Sequence, residues 1–119
     1  MPDNTTSVAA LREAWARFVA EREWEQFHSP KNLVMALSVE VAELMEHFLW
    51  IDNPASHEVA RDPAVREQVA DEVADVAGAL LALCNALDLD LSEAVRRKMA
   101  KNEGKYPVEK ARGRYRIEE

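Results

Sequence analysis

The sequence has one cysteine and fewer basic than acidic residues, 15 against 22, and each of these features argues against a class of protein. The single cysteine, Cys84, cannot form a disulfide within the chain, and its place on a predicted apolar helix indicates a buried, inert thiol in a reducing compartment. A formal net charge of −7 argues against nonspecific binding to nucleic acid. No apolar run approaches the roughly 20 residues of a membrane span. The N-terminus lacks a basic segment followed by an apolar one, so we expect no signal peptide and a soluble, cytoplasmic protein.

Glycine is also scarce, with three residues in 119, and the abundance of Ala, Leu, Glu and Val favours helix. Capping residues and proline positions predict four helices. These begin at Ser7, Ser29, Asp62 and Asp90 and end near Arg22, Trp50, Leu87 and Glu103, with Gly104 as the last terminator. Residues 51–62 are predicted as a loop with a short helical turn. We therefore expect one all-α domain over residues 1–119, a four-helix bundle with its core at about 7–107 and a poorly ordered polar tail at 108–119.

Two pairs of acidic residues occupy equivalent positions on the second and third helices. Within each pair, Glu40 with Glu43 and Glu72 with Asp75, the members lie three residues apart, or about 4.5 Å along the helix axis. Each pair begins seven residues after the start of an apolar stripe, so all four carboxylates should border the core-facing side. The two stripes are Leu33, Leu37, Val41, Leu44, Phe48 and Val65, Val69, Val73, Val76, Leu80.

Four carboxylates gathered on one side of a bundle would repel and desolvate one another, and a hard cation with oxygen ligands removes that cost. The alternative is that they are solvated edge charges, since a chain with 22 acidic residues contains such pairs by chance. The matching phase of the two pairs favours a metal site.

The fourth helix carries polar residues on its apolar stripe. Lys98 and Asn102 share a face with Leu91, Ala94, Val95 and Met99, and Lys105 lies close by. Polar groups on an inward face need partners. Either Lys98 extends to solvent or pairs with a structural carboxylate, or these residues face phosphate oxygens at the rim of the metal site.

Aromatic residues cluster around the first two helices. Trp15 and Phe27 are expected in the core, because aromatic residues most often pack there. Trp24 lies in a predicted loop and Trp50 at a predicted helix end, with His28 nearby, and each tryptophan could equally pack or stack on a nucleobase.

At this point several motifs together resemble a known family, the MazG-like all-α nucleoside triphosphate pyrophosphatases, and within it the dCTP pyrophosphatase branch. The run REWEQFH at 22–28, followed by PKNL at 30–33, is similar to that branch. The two acidic pairs match the family's E-x-x-E and E-x-x-D signature. The C-terminal set Lys98-Met99, Asn102 and Lys105-Tyr106-Pro107 matches its phosphate-side motif, so the resemblance covers about Ser7 to Pro107.

The resemblance implies a helical bundle that assembles into a dimer or tetramer, with the tetramer favoured, whose active sites use residues of more than one subunit. It implies hydrolysis between the α- and β-phosphates of a nucleoside triphosphate with Mg²⁺, or with Mn²⁺ as a substitute. The expected substrate is a pyrimidine deoxynucleotide, dCTP or a 5-modified dCTP, and the products are the monophosphate and pyrophosphate, as in sanitation of the nucleotide pool.

The expected roles follow for each group of residues. Glu40, Glu43, Glu72 and Asp75 are the predicted metal ligands and catalytic residues, and one glutamate could instead be the base that activates water. Trp24, Trp50 and His28 should form the base pocket, and Lys98, Asn102, Lys105 and Tyr106 should contact the phosphates.

Two positions depart from the dCTP branch. Trp15 stands where a relative has His, and Ala79 stands where a Tyr is found. Both positions lie near the nucleotide in the family, so the resemblance alone does not fix a preference for cytosine. The alternative function is that of a non-catalytic helical protein that binds a nucleotide or a partner.

Overall fold

Helices account for the regular secondary structure of the computed structural model, which describes residues 1–114 and contains no strand in that range. The described residues contain four long helices, two short ones and three 3₁₀ turns, at Asp3–Thr5, Trp24–Phe27 and Val59–Arg61. In chain order the helices are α1 (Val8–Glu21), α2 (Pro30–Glu46), α3 (Asn53–Ser56), α4 (Pro63–Leu87), α5 (Leu91–Lys105) and α6 (Val108–Ala111).

Side-chain caps start the four long helices where the sequence predicted them. Each cap residue accepts a hydrogen bond from a backbone N–H in the first turn, a group that has no partner within the helix. The bonds run from Ala10 N to Ser7 Oγ (3.0 Å), from Asn32 N to Ser29 Oγ (3.2 Å), from Ala64 N to Asp62 Oδ1 (3.0 Å) and from Glu93 N to Asp90 Oδ1 (2.8 Å).

The helix ends differ from the predictions in three places. α2 ends at Glu46 rather than near Trp50, and the following residues form turns. Gly104 lies inside α5 and does not terminate it, because this helix continues to Lys105 before Pro107 interrupts the backbone hydrogen bonding. The start of the predicted tail is helical, since α6 covers Val108–Ala111, while residues 115–119 of that tail lie outside the described residues.

The chain divides into two compact units, Met1–Asp88 and a second one that begins at Leu89. The first unit contains three of the four predicted long helices, and α4 is at its centre, with α1 and α2 both packed against it. The second unit contains α5 and α6. The all-α class is therefore confirmed, whereas a bundle of four helices stays a prediction.

Small residues on α4 allow the close packing of the first unit. Gly78, Ala82 and Cys84 are its buried residues, which confirms the predicted burial of the thiol. The indole of Trp15 lies directly over Gly78, where a Cβ atom would come within 2.8 Å of two ring carbons. Asn85 on α4 forms two hydrogen bonds with Arg12 on α1. Its Oδ1 accepts from Arg12 Nε (3.0 Å), and its Nδ2 donates to Arg12 O (3.1 Å).

Candidate active site

The facing sides of α2 and α4 each carry a stripe of buried and half-buried residues with alternating spacings of four and three. The stripe of α2 is Leu33, Leu37, Glu40, Leu44 and, at the C-cap directly after the helix, His47. That of α4 is Val65, Val69, Glu72, Val76, Ala79, Leu83. Glu40 and Glu72 therefore occupy positions where an apolar residue would ordinarily lie. This corrects the predicted stripes, since Val41, Val73 and Leu80 are exposed. Each helix has apolar residues on more than one side, so the sequence alone did not identify the side that faces the core.

Three of the four predicted carboxylates converge between these helices. Glu40, Glu43 and Glu72 each offer an oxygen, and the three oxygens all lie within 4.8 Å of one another. Glu43 is exposed, whereas Glu40 and Glu72 are half-buried. Asp75 is exposed and does not belong to this trio, although its charge acts on both half-buried members.

Two buried carboxylate oxygens of the cluster have no hydrogen-bond donor among the described residues. Glu40 Oε2 and Glu72 Oε2 are inaccessible to solvent and accept no hydrogen bond from any described residue. A buried carboxylate oxygen without a partner costs free energy, and such atoms in a folded protein indicate a missing ligand or ion. Three oxygens at this spacing are the donor set that a hard divalent cation prefers, so the residues present fit Mg²⁺ or Mn²⁺.

Burial and mutual repulsion perturb the two half-buried carboxyl groups in the same direction. Desolvation, and then the nearby charges of Glu43 and Asp75, raise the pKa of Glu40 above its ordinary value. Desolvation and the same two charges also raise the pKa of Glu72, an effect that His47 opposes. The cluster is thus an electrostatically unfavourable arrangement that a bound cation would relieve.

His47 is a member of this site that the sequence did not single out. It is the residue directly after α2, four positions beyond Glu43, and its Nε2 lies 3.9 Å from Oε1 of Glu72. Both side chains are about three-quarters buried, at 23% and 24% exposed. The signal was the spacing, because Glu40, Glu43 and His47 are separated by three and four residues and so share one helix face.

The predicted base-binding residues lie at opposite ends of α2, a helix about 25 Å long at 1.5 Å per residue. Trp24 precedes α2 and packs edge-on against Phe18 at 5.7 Å between ring centroids. Trp50 follows α2 and is 89% exposed. His28 lines a cavity of about 320 Å³ together with Trp15 and Glu25. Within one chain the structure does not bring the two predicted base-stacking tryptophans together.

Phe27, Lys98 and Lys105 are more exposed than their predicted places in the fold would require. Phe27 is 60% exposed, so its assignment to the core is wrong. Lys98 and Lys105 are also exposed, and the expectation of an inward-facing ammonium at Lys98 is wrong for the single chain. The apolar stripe of α5 is itself largely exposed, because Val95 and Met99 are open to solvent. Lys105 lies over the ring of Tyr106, with Nζ 5.4 Å from the centroid.

Asn102 is half-buried, and its backbone oxygen accepts from Tyr106 N at 2.7 Å. All four predicted phosphate-contacting residues lie on α5 or at its end, in the second unit. Their phosphate-binding role stays a prediction.

Carboxylates on facing helices of an all-α chain define a helical protein with a candidate divalent-cation centre. The chain matches the MazG-like family over residues 35–116, and it therefore belongs to that family. The resemblance inferred from its motifs is thus confirmed. No helix within residues 1–114 is long and apolar enough to cross a membrane.

Individual relatives agree with this assignment. The chain is 43% identical over 103 residues to dCTP pyrophosphatase 1 of Mus musculus and 41% identical over 102 residues to that of Homo sapiens. These alignments cover 87% and 86% of this chain but only 61% and 60% of the relatives, so the chain spans about three-fifths of their length. Among solved structures, a pyrophosphatase from Archaeoglobus fulgidus aligns with a TM-score of 0.77 and 38% identity, covering 90% of this chain and 98% of the other.

Proposed function

We propose that this protein is a Mg²⁺-dependent nucleoside triphosphate pyrophosphohydrolase that cleaves a pyrimidine deoxynucleotide, dCTP or a 5-modified dCTP, to the monophosphate and pyrophosphate. The observation that carries this proposal is the convergence of Glu40, Glu43 and Glu72, with two buried oxygens that have no partner among the described residues. The names of the mammalian and archaeal relatives support the reaction class, and the mammalian ones support the base.

In this proposal Glu40, Glu43 and Glu72 hold the cation, with Asp75 contributing charge at the edge of the cluster. A bound Mg²⁺ would neutralise charge on the phosphates and act as a Lewis acid that polarises their oxygens. The carboxylates also orient the attacking water, and one of these three glutamates, acting as a base instead of a ligand, would take its proton. Lys98 and Lys105 would offset charge on the outer phosphates, Asn102 would orient them, and Tyr106 would support this rim.

The site is proposed to be completed by a second copy of the chain. One base cannot be enclosed by Trp24 and Trp50 of the same chain if α2 separates them by about 25 Å. Tryptophans from two subunits can meet at one base, each contributing a stacking surface. Large apolar side chains exposed on α2 and just after it, including Val34, Val39 and Leu49, are the surface that such an assembly would cover.

We favour a homotetramer over a homodimer, because the family resemblance implies it. Cys84 and Leu81 would contribute little to such an interface, since Cys84 is buried within its own chain and Leu81 is half-buried there. Sedimentation at micromolar concentration should show an oligomer, and a monomer would contradict this part of the proposal.

The decisive experiment measures pyrophosphate release from a panel of deoxynucleotides, 5-modified dCTPs and ribonucleotides with Mg²⁺. Glu43→Gln and Glu72→Gln should each lower kcat by about a hundredfold or more, the scale expected when transition-state charge stabilisation is removed. Glu46→Gln and Asp71→Asn are matched controls, because both residues are exposed neighbours outside the trio. Full activity in the presence of a chelator would reject the mechanism. Nucleotide binding without pyrophosphate release would instead favour a non-catalytic binding protein.

A further inference from the structure

The imidazole of His47 occupies a position that packing alone would give to an apolar residue. It continues the core-facing stripe of α2 after Leu37, Glu40 and Leu44, and its side chain is only 23% exposed. A polar ring placed there needs a partner, since a buried N–H without an acceptor is costly. The group within reach is Oε1 of Glu72 on the facing helix, 3.9 Å from His47 Nε2.

The two oxygens of Glu72 have different surroundings. Oε1 faces His47, while Oε2 is buried and accepts no hydrogen bond from the described residues. A carboxylate that binds a cation through one oxygen is commonly held by a hydrogen bond to the other, and that bond fixes its rotamer. A movement of about 1 Å would bring the His47–Glu72 contact into hydrogen-bond range.

Among residues 1–114, no other basic side chain forms an ion pair with the carboxylates of the cluster. The ion pairs in that range that involve Lys or Arg join Arg22 with Glu21, Arg61 with Glu58 and Arg97 with Glu93, and none reaches the cluster. His47 is also placed apart from the trio itself, because its nitrogens do not belong to the set of atoms within 4.8 Å of one another. This placement favours a residue that positions a ligand over one that is a ligand.

We infer that His47 is a positioning residue of the metal centre, which holds Glu72 by its Oε1 so that Oε2 is presented to the divalent cation. The inference rests on the proposed function, because it assigns a role at the same site. An imidazole can donate from Nε2 both as the neutral Nε2-H tautomer and as the imidazolium, so the contact requires no particular charge.

The test is the affinity for Mn²⁺ alone, measured as free Mn²⁺ by electron paramagnetic resonance without nucleotide. His47→Gln places an amide N–H near the former Nε2, whereas His47→Asn is too short to reach it. His47→Asn should weaken Mn²⁺ binding about tenfold or more, the loss typical of outer partners of metal ligands, and His47→Gln should largely retain it. His57→Asn is the matched control, because His57 is exposed and lies outside the carboxylate cluster.

A second measurement tests the contact itself in the metal-free protein. His47→Asn and Glu72→Gln should shift the urea midpoint non-additively when combined, whereas His57→Asn and Glu72→Gln should be additive. Normal Mn²⁺ affinity of His47→Asn, equal losses in Asn and Gln variants, or additivity with Glu72→Gln would each overturn the inference. Failure of the wild type to bind Mn²⁺ or to release pyrophosphate would instead reject the proposed function.

Discussion

Replacing Gly78 by alanine tests how tightly the tryptophan of α1 is packed onto α4. The new Cβ would lie 2.8 Å from two carbons of the Trp15 indole and 3.2 Å from a third. Ordinary carbon–carbon contacts lie at about 3.5–4.0 Å, so the ring must move by about 0.7 Å or more. Trp15 stacks on Phe18 at 5.4 Å, and Phe18 in turn contacts Trp24. A displaced indole would therefore disturb the packing of Phe18 and, through it, of Trp24, a predicted base-binding residue.

Two opposing effects set the magnitude. Alanine in a helix interior is favoured over glycine by about 0.8–1.0 kcal/mol. Overpacking a well-packed position typically costs about 1–3 kcal/mol. We therefore expect Gly78→Ala to lower the free energy of unfolding by up to about 2 kcal/mol. In a Trp15→Phe background, where the outer part of the indole is absent, the same change should raise it by roughly 1 kcal/mol.

The assay is urea unfolding at fixed protein concentration, with the slope checked for constancy so that midpoints report stability. Gly104→Ala is the matched control, because Gly104 is helical and no atom of the described residues would lie within 4 Å of its Cβ. This control should gain stability from helix propensity alone. If Gly78→Ala were as stabilising as Gly104→Ala, the indole would be free to move and the packing argument would fail.

Three further predictions concern the site. The raised pKa values of Glu40 and Glu72 imply that their contribution to metal-free stability is present below the ordinary value of 4.5 and is lost as pH rises through the raised folded values. Glu40→Gln should flatten this part of the pH profile of the urea midpoint. An unchanged profile would contradict the repulsion between the carboxylates. Lys98→Ala should lower kcat/KM by roughly ten- to a hundredfold with Mn²⁺ affinity intact, and intact turnover with a lower Tm would indicate a structural role. Nucleotide should quench tryptophan fluorescence, and Trp50→Ala should weaken binding by about 1–3 kcal/mol. Unchanged affinity in both Trp24→Ala and Trp50→Ala would place the base elsewhere.

The sequence predicted the helices well because their starts are local. Ser7, Ser29, Asp62 and Asp90 cap α1, α2, α4 and α5 through bonds within the first turn, and such bonds depend on nearby residues only. The helix ends were less predictable, since Gly104 remained helical and α2 ended four residues early. Glycine can end a helix but does not require it to end.

The meeting of the carboxylates was predictable in part, and the reason is geometric. Once α2 and α4 form, three-residue spacing places Glu40 beside Glu43 and Glu72 beside Asp75, however the helices pack. The rotation of α4 against α2 decides which of them converge, and no local pattern encodes that angle. The structure selects Glu72 and leaves Asp75 outside the trio. His47 was missed for the same reason, because its role depends on a carboxylate of another helix.

The sequence contained one sign of the contact between Trp15 and Gly78, namely the glycine itself. A glycine in the middle of a 25-residue helix is unfavourable by about 1 kcal/mol relative to alanine and so suggests a close approach by another group. The identity of that group could not be predicted, since Trp15 lies 63 positions earlier in the chain. A large ring on α1 and a missing side chain on α4 are complementary only once the two helices are packed.

The polar positions on the facing stripes weaken the apolar core of the first unit. Glu40, His47 and Glu72 replace apolar residues along the contact between α2 and α4, which removes hydrophobic burial from the centre of the first unit. Few residues of that unit are fully buried, and large apolar side chains such as Val39 and Leu49 remain exposed. A cation on the carboxylates would offset the first deficit, and a second copy over the exposed side chains would offset the second. If both contributions hold, metal binding and assembly should each raise Tm, and a protein stable without either would show that the core of the single chain is sufficient.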